Sequence, residues 1–182
     1  MISDTASRAR GNPYQSSVDV ISYAISKCAV GEVLVARTVA GVCAILIGTA
    51  KELEADLAAR FRNARLVENE ATVCDDLVKV IRFLDKPVEG LDLPLDLRGT
   101  PFQHRVWEKL RAIPVGRTVT YMELARWVGP LTSARAVARA CAANPIALAV
   151  PCHRVVGSNG DLADYRWGVE RKYELIRKET TA

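Results

Sequence analysis

The hydrophobic periodicity of this chain breaks off at residues 90–99, an extended proline-containing stretch, and that break limits what it can fold into. Before it, apolar residues come in short strand-like runs at 18–26, 32–37 and 42–48, the last two joined through Gly41 in the manner of a β-hairpin. Helical spacing follows in a charged background: Leu53, Leu57 and Phe61, then Leu77, Ile81 and Leu84, predict two amphipathic helices. The first half therefore reads as a small α/β unit at 18–90, preceded by a loose polar tail at 1–17. Residues 91–98, with alternating Leu and Asp and with Pro94, read as an extended connector.

Beyond the connector the punctuation is helical. Thr100-Pro101-Phe102-Gln103 combines an N-cap, a proline at the first helical position and a capping-box glutamine, and it opens a helix with core face Val106, Leu110 and Ile113. Thr120-Tyr121-Met122-Glu123 repeats the box and starts a second helix that runs through Trp127 to Gly129-Pro130. A third begins at Thr132 or Ser133 and runs to Ala143, where Asn144-Pro145 stops it. The fold class is α+β, with residues 99–182 mainly helical. The second and third helices, with Ala125 and Gly129 at the turn, resemble a helix-turn-helix, a shape that helical hairpins without DNA contacts share.

The chain has 182 residues, enough to bury a real core without cross-links. Five cysteines at 28, 43, 74, 141 and 152, with no CxxC pair, argue against a disulfide framework or a zinc cluster and for a reducing, cytoplasmic setting. Residues 1–17 lack the apolar core of a secretory signal, and the longest apolar stretch, 42–47, is too short to cross a bilayer, so no membrane partner is expected. Charge divides unevenly: residues 1–98 carry 12 basic and 14 acidic side chains, residues 99–182 carry 13 and 7. A net +6 on the second half suits a polyanion, or is simply a solvated face.

That half also holds Pro151-Cys152-His153-Arg154-Val155, where a thiol stands beside one of only two histidines. A thiol reacts as its thiolate, and a nearby imidazole favours that form. The same dipeptide fits a buried structural cysteine. In a regular strand the two side chains would point to opposite faces, so the chemistry needs a turn or a bridging water. His153 also needs a carboxylate on its other nitrogen to fix its tautomer. Glu179 is the candidate: Lys172, Leu175, Ile176 and Glu179 fall at helical spacing on one face, although a carboxylate near a helix C-terminus is disfavoured by the dipole and must be held by something else. A frayed, solvent-paired Glu179 is the plainer reading. Asn144 can brace the turn before Cys152 or act as an ordinary helix cap. The third helix is nearly all alanine apart from Arg135 and Arg139, slim enough to approach a narrow groove or to pack closely on a neighbour.

From Gly99 to Glu179 the chain resembles the O6-alkylguanine-DNA alkyltransferases, most of all the alkyltransferase half of the family's fused adaptive-response members. The likeness rests on Thr100-Pro101-Phe102-Gln103, Tyr121 with Glu123-Leu124-Ala125, Ala134-Arg135-Ala136-Val137, Asn144, the run 151–156, and Tyr165-Arg166-Trp167-Gly168. Residues 18–98 resemble the family's N-terminal domain more loosely. The resemblance implies a ribonuclease-H-like domain followed by a winged-helix-like, helix-turn-helix domain at 99–182. It implies direct transfer of the alkyl group of O6-alkylguanine, and of O4-alkylthymine, to Cys152 after base flipping, once per molecule, by a monomer without metal or organic cofactor.

The implied partner is double-stranded DNA, met in the minor groove by Ser133, Ala134 and Arg135, with Arg135 filling the space of the flipped base. Tyr121 and the Arg166 amide would act at the base, Tyr165 and Cys141 would line its pocket, and the carbonyls of Cys152 and Val155 would receive its amine. His153, held by Glu179, would take the thiol proton. No cysteine-rich segment precedes residue 18, so a transcriptional role is not carried over. A structural zinc found in some relatives is not carried over either, because His104 lies in the first helix of the second half. Two other classes remain on the residues alone: a Cys-His-Glu thiol hydrolase, and a helix-turn-helix module without chemistry.

Overall fold

The computed structural model describes residues 19–162 and 165–181, so the tail read at 1–17 and residue 18 lie outside the described residues. Three strands, β1 (Val20–Cys28), β2 (Gly31–Arg37) and β3 (Val42–Gly48), form an antiparallel meander. A fourth, β4 (Arg65–Glu68), joins β1 in parallel and gives the order β3-β2-β1-β4. Sequence reading missed β4, whose four residues are too few to show a period against noise. Helix α1 (Ala50–Arg60) makes the crossover from β3 to β4, burying Leu53 and Leu57, and α2 (Glu70–Asp85) packs Val73, Leu77, Val80 and Leu84 against the sheet. Ile81, expected in that core, is only half-buried.

All seven residues of β3 are buried, although β3 lies at the end of the sheet order. Its outer edge is covered by two irregular segments. The connector runs beside Val42, which donates to the Pro94 carbonyl (2.8 Å) and accepts from the Asp96 amide (2.8 Å). Further along, Ile45 donates to Pro145 (3.0 Å) and accepts from Ala147 (2.9 Å), so the chain leading to Cys152 is docked on the sheet through backbone bonds. Gly41, at φ 149°, permits this closure, since a Cβ there would collide with the Pro94 carbonyl.

The remaining helices are α3 (Pro101–Arg111), α4 (Tyr121–Val128), α5 (Ala134–Ala142) and α6 (Val169–Thr180). Both capping boxes form: Thr100 with Gln103, and Thr120 with Glu123. Ser133 caps α5 by accepting from the Ala136 amide (3.2 Å). Helices of 8 and 9 residues are too short to persist alone, and a cap contributes only about 1 kcal/mol, so burial must supply the rest. Trp107 of α3 provides much of it, being 1% exposed with its indole N–H on the Ala140 carbonyl of α5 (2.9 Å). Two short strands not read from the sequence, β5 (Val119–Thr120) and β6 (Val155–Val156), pair in parallel. They tie the start of α4, and hence Tyr121, to the chain just after Cys152. No helix among the described residues is long and apolar enough to cross a membrane.

Candidate active site

Docked on β3, the chain turns back sharply before Cys152. Ala149 donates to Ala147 (2.7 Å) and Cys152 to Val150 (2.8 Å), while Leu148 sits at φ 68°, a left-handed conformation that costs a branched residue about 1–2 kcal/mol. Asn144 holds the loop from inside, donating to the Val150 carbonyl (2.7 Å) and accepting from the Ile146 amide (2.9 Å). Its side-chain nitrogen also lies 3.4 Å from Cys152 Sγ, while the cap of α5 is the preceding Ala143.

Residues 152–154 form one 3-10 turn, and the opposite-faces constraint of a strand does not apply. His153 points into the protein, 0% exposed, and its Nε2 lies 2.8 Å from Glu179 Oε1. The carboxylate can only accept, so Nε2 carries the hydrogen and Nδ1 keeps a lone pair. That Nδ1 is buried and has no hydrogen-bond partner in the protein. No direct Cys152–His153 bond forms.

Glu179 sits near the end of α6 because Arg154 holds it there. The guanidinium is a fork, with Nε on Oε2 (2.9 Å) and Nη2 on Oε1 (2.9 Å), while Nη1 donates to the Ile113 carbonyl. Gly116 brings its backbone under the same helix end: a Cβ at its φ of 74° would lie 2.9 Å from the Glu179 carbonyl oxygen. Burial by itself would raise the Glu179 pKa, but the hydrogen bonds from His153 and Arg154 outweigh it and bring it down to about 2. Burial dominates at His153 and lowers its pKa, which leaves a neutral imidazole on an anionic carboxylate. Burial likewise raises the Cys152 thiol, opposed by the Asn144 N–H and by the nearby Lys172 charge.

The signs set an acid dependence. Glu179 titrates below its ordinary 4.5 when folded, so its contribution is complete above that value and is lost as pH falls towards about 2. His153, depressed below 6.5, also favours the folded state less once the unfolded chain takes up its proton beneath that pH. Unfolding midpoints measured from pH 7 to 3 should fall more steeply for the parent chain than for Glu179→Gln. Parallel curves would contradict the ion-paired carboxylate.

Cys152 opens into a cavity of about 430 Å³, a size usual for small-molecule sites. Its walls are Tyr121, the α5 residues Ala138, Arg139, Cys141 and Ala142, and Tyr165 with Arg166. Lys172, fully buried and not itself a wall residue, donates to the Leu162 carbonyl and lies 5.9 Å from the ring of the wall residue Tyr121. The Tyr165 ring meets Trp167 edge-on at 5.2 Å, its hydroxyl buried without a protein partner. Val155 is buried in β6 and is not among the wall residues. Ser133, Ala134 and Arg135 stand at the first turn of α5, outside the cavity, with Ser133 and Arg135 exposed. A larger hollow of 920 Å³ between α1 and residues 143–145 contains no thiol or imidazole, and its Arg60 and Arg98 are already paired with aspartates.

Cys152, His153, Glu179, Asn144, Tyr121, Cys141, Tyr165 and Arg166 are thus brought together from five separated segments. Sequence reasoning missed three contributors. Arg154 carried no signal beyond standing two residues after the cysteine. Lys172 was on the Glu179 face of its helix, which hinted at burial but not at a cavity. Arg139 was taken as a groove or solvent charge, whereas it lines the cavity. Among the described residues no cluster of three or more His, Cys, Asp or Glu could hold a metal ion.

Comparison with known proteins matches this arrangement. The family model described as 6-O-methylguanine DNA methyltransferase, DNA binding domain, covers residues 101–181. The bifunctional transcriptional activator/DNA repair enzyme Ada of Escherichia coli is 44% identical over 160 residues, 87% of this chain and 45% of that protein. The chain spans about half the length of the curated relatives it matches, such as Ada of Escherichia coli and the regulatory protein ada of Salmonella typhimurium. A solved structure of Mycobacterium tuberculosis OGT-R37K superposes with a TM-score of 0.71 at 32% identity, over 88% of this chain and 93% of that one. The Mycobacterium tuberculosis OGT in complex with DNA does so with 0.66 at 30% identity, over 89% and 93%. With a buried thiol beside a buried imidazole–carboxylate pair and nearly the whole of a solved relative matched at this identity, the chain belongs to the O6-methylguanine-DNA methyltransferase family.

Proposed function

We propose that this chain performs direct-reversal DNA repair, moving the alkyl group of O6-alkylguanine, and of O4-alkylthymine, irreversibly onto Cys152. The observation that carries the reading is the bare, buried Nδ1 of His153, whose other nitrogen is committed to Glu179. A water between Nδ1 and Cys152 lets the imidazole take the thiol proton when a base fills the cavity. The S–C bond then forms as the C–O6 bond breaks; the Tyr121 hydroxyl gives the departing base its proton and regains one from the proton His153 has taken, while the Arg166 amide donates a hydrogen bond to the base. The carbonyls of Cys152 and Val155 receive its exocyclic amine. A buried, protonated resting thiol keeps the nucleophile unspent until then. The product is a thioether, and no group at the site is placed to cleave it, so each molecule acts once.

The base must leave the duplex to reach this cavity. In this reading residues 18–90 are a ribonuclease-H-like domain, 91–98 a connector and 99–182 a winged-helix-like domain whose α5 enters the minor groove as a monomer. Flipping costs a few kcal/mol, which Arg135 offsets by occupying the vacated space. Arg135→Ala should slow transfer from duplex by about tenfold, equivalent to about 1.4 kcal/mol, and leave transfer from the single strand unchanged. Equal slowing on both substrates, or none on the duplex, would remove Arg135 from that role. Similarity to the Mycobacterium tuberculosis OGT in complex with DNA supports the partner.

A further inference from the structure

Asp56 lies on α1, 110 residues away in sequence from the Arg166 wall of the cavity, yet its carboxylate is the point on which both sides of that cavity converge. Arg166 reaches it through Nη2 on Oδ1 (2.5 Å) and Nε near Oδ2 (3.4 Å). Arg60, one helical turn on, places its Nε on the same Oδ1 (3.1 Å) and extends Nη1 to the Ala143 carbonyl at the end of α5 (3.5 Å). Arg166 belongs to one wall, and the last turn of α5, with Cys141 and Ala142, to the other. Arg60 Nη2 is buried with no partner, so this cation depends on Asp56 and Ala143 for its compensation.

An isolated exposed ion pair contributes little. This network differs in its centre: Arg166 is 39% exposed, but the side chains of Asp56 and Arg60 are 21% and 15% exposed, and one carboxylate serves two guanidiniums. Apart from Arg139, whose side chain is exposed, the α5 wall is made of small residues, Ala138, Cys141 and Ala142, that cannot adjust their own bulk. The gap is therefore set by how far apart the two backbone segments are held. On the far side of Arg166 the chain is fixed again, by Arg171, which donates to the Trp167 and Val30 carbonyls (2.7 and 3.1 Å).

We propose that Asp56 is a positioning residue that fixes the width of the Cys152 cavity and so confines transfer to small alkyl groups. The proposal rests on the alkyl-transfer reading and adds a substrate class to it. With both walls tied to one carboxylate, a methylated base is held in line for attack, while a bulky alkyl group must force the walls apart. Misplacement of about 1 Å is enough to change a rate by orders of magnitude, so a modest loosening is measurable.

The test uses one duplex sequence carrying either O6-methylguanine or O6-benzylguanine, so that effects on DNA binding cancel in the ratio of single-turnover rates. Asp56→Asn, which keeps shape but loses charge, should lower the methyl-to-benzyl rate ratio by about tenfold. Asp56→Glu should restore most of that ratio. Arg166→Ala, an exposed position that carries the test if Asp56→Asn fails to fold, should reproduce the shift, and combining the two should add nothing. A ratio unchanged in both single variants, with the two rates falling together, overturns the clamp and leaves the repair reading standing. A parent chain that reacts with neither duplex overturns the repair reading and the clamp with it.

Discussion

Cys152→Ser should abolish alkyl transfer while leaving fold and duplex affinity as they are. The thiol is 4% exposed and lies in the cavity wall, bonded only weakly to Asn144, so the smaller hydroxyl can take its place without moving the loop. An alcohol is far less acidic than a thiol, and a neutral imidazole reached through one water will not make it a competent nucleophile towards an alkyl carbon. The loss should exceed about a thousandfold, or about 4 kcal/mol in barrier. Single-turnover transfer from a methylated duplex, paired with a binding isotherm on the same DNA, measures both halves. Residual transfer at the parent rate would move the nucleophile elsewhere. If a duplex-binding module without chemistry were the whole function, no measured property would change.

Arg154→Met is the second large effect. The side chain is buried, its fork satisfies both oxygens of a buried carboxylate, and its remaining nitrogen binds the Ile113 carbonyl, tying α6 to the end of α3. Methionine fills similar space but leaves Glu179 charged, buried and supported only by neutral donors. Breaking a buried pair from one side costs about 3–5 kcal/mol, a large part of a domain's stability. Chemical denaturation should register that loss. The double variant Arg154→Met/Glu179→Gln should recover part of it, because the stranded charge is gone. If Arg154→Met alone costs less than about 1 kcal/mol, the pair behaves as a surface ion pair and the account of how Glu179 is held fails.

How legible the molecule was depends on whether a feature is local. The capping boxes at Thr100 and Thr120 read directly, since every group they use lies within four residues. Strand β3 read as buried from its unbroken apolar run, but not the reason: its edge is covered by Pro94 and by 145–147, partners about 50 to 100 residues away. The pairs β5 with β6 and β1 with β4 escaped because short strands owe their form to a distant neighbour rather than to their own composition.

The site divides in the same way. Glu179 could be placed on a buried face by spacing, and its unfavourable position at a helix end required something else to hold it, but nothing local named Arg154. Asn144 could be read as a cap or a brace, and its side-chain bonds are those of a brace, one residue beyond the Ala143 cap of α5. Asp56 gave no signal at all, because an aspartate on an exposed-looking helix is ordinary until Arg166 is folded against it.

The central claim is that Cys152 is the final acceptor of the alkyl group. It is tested most directly by mixing the full chain with duplex DNA containing O6-methylguanine and measuring the mass of the peptide that carries Cys152. The account predicts one methyl group on that cysteine, a yield that stops at one per protein molecule, and unmodified guanine in the recovered DNA. A folded, DNA-binding chain whose Cys152 peptide keeps its original mass after exhaustive incubation would contradict it.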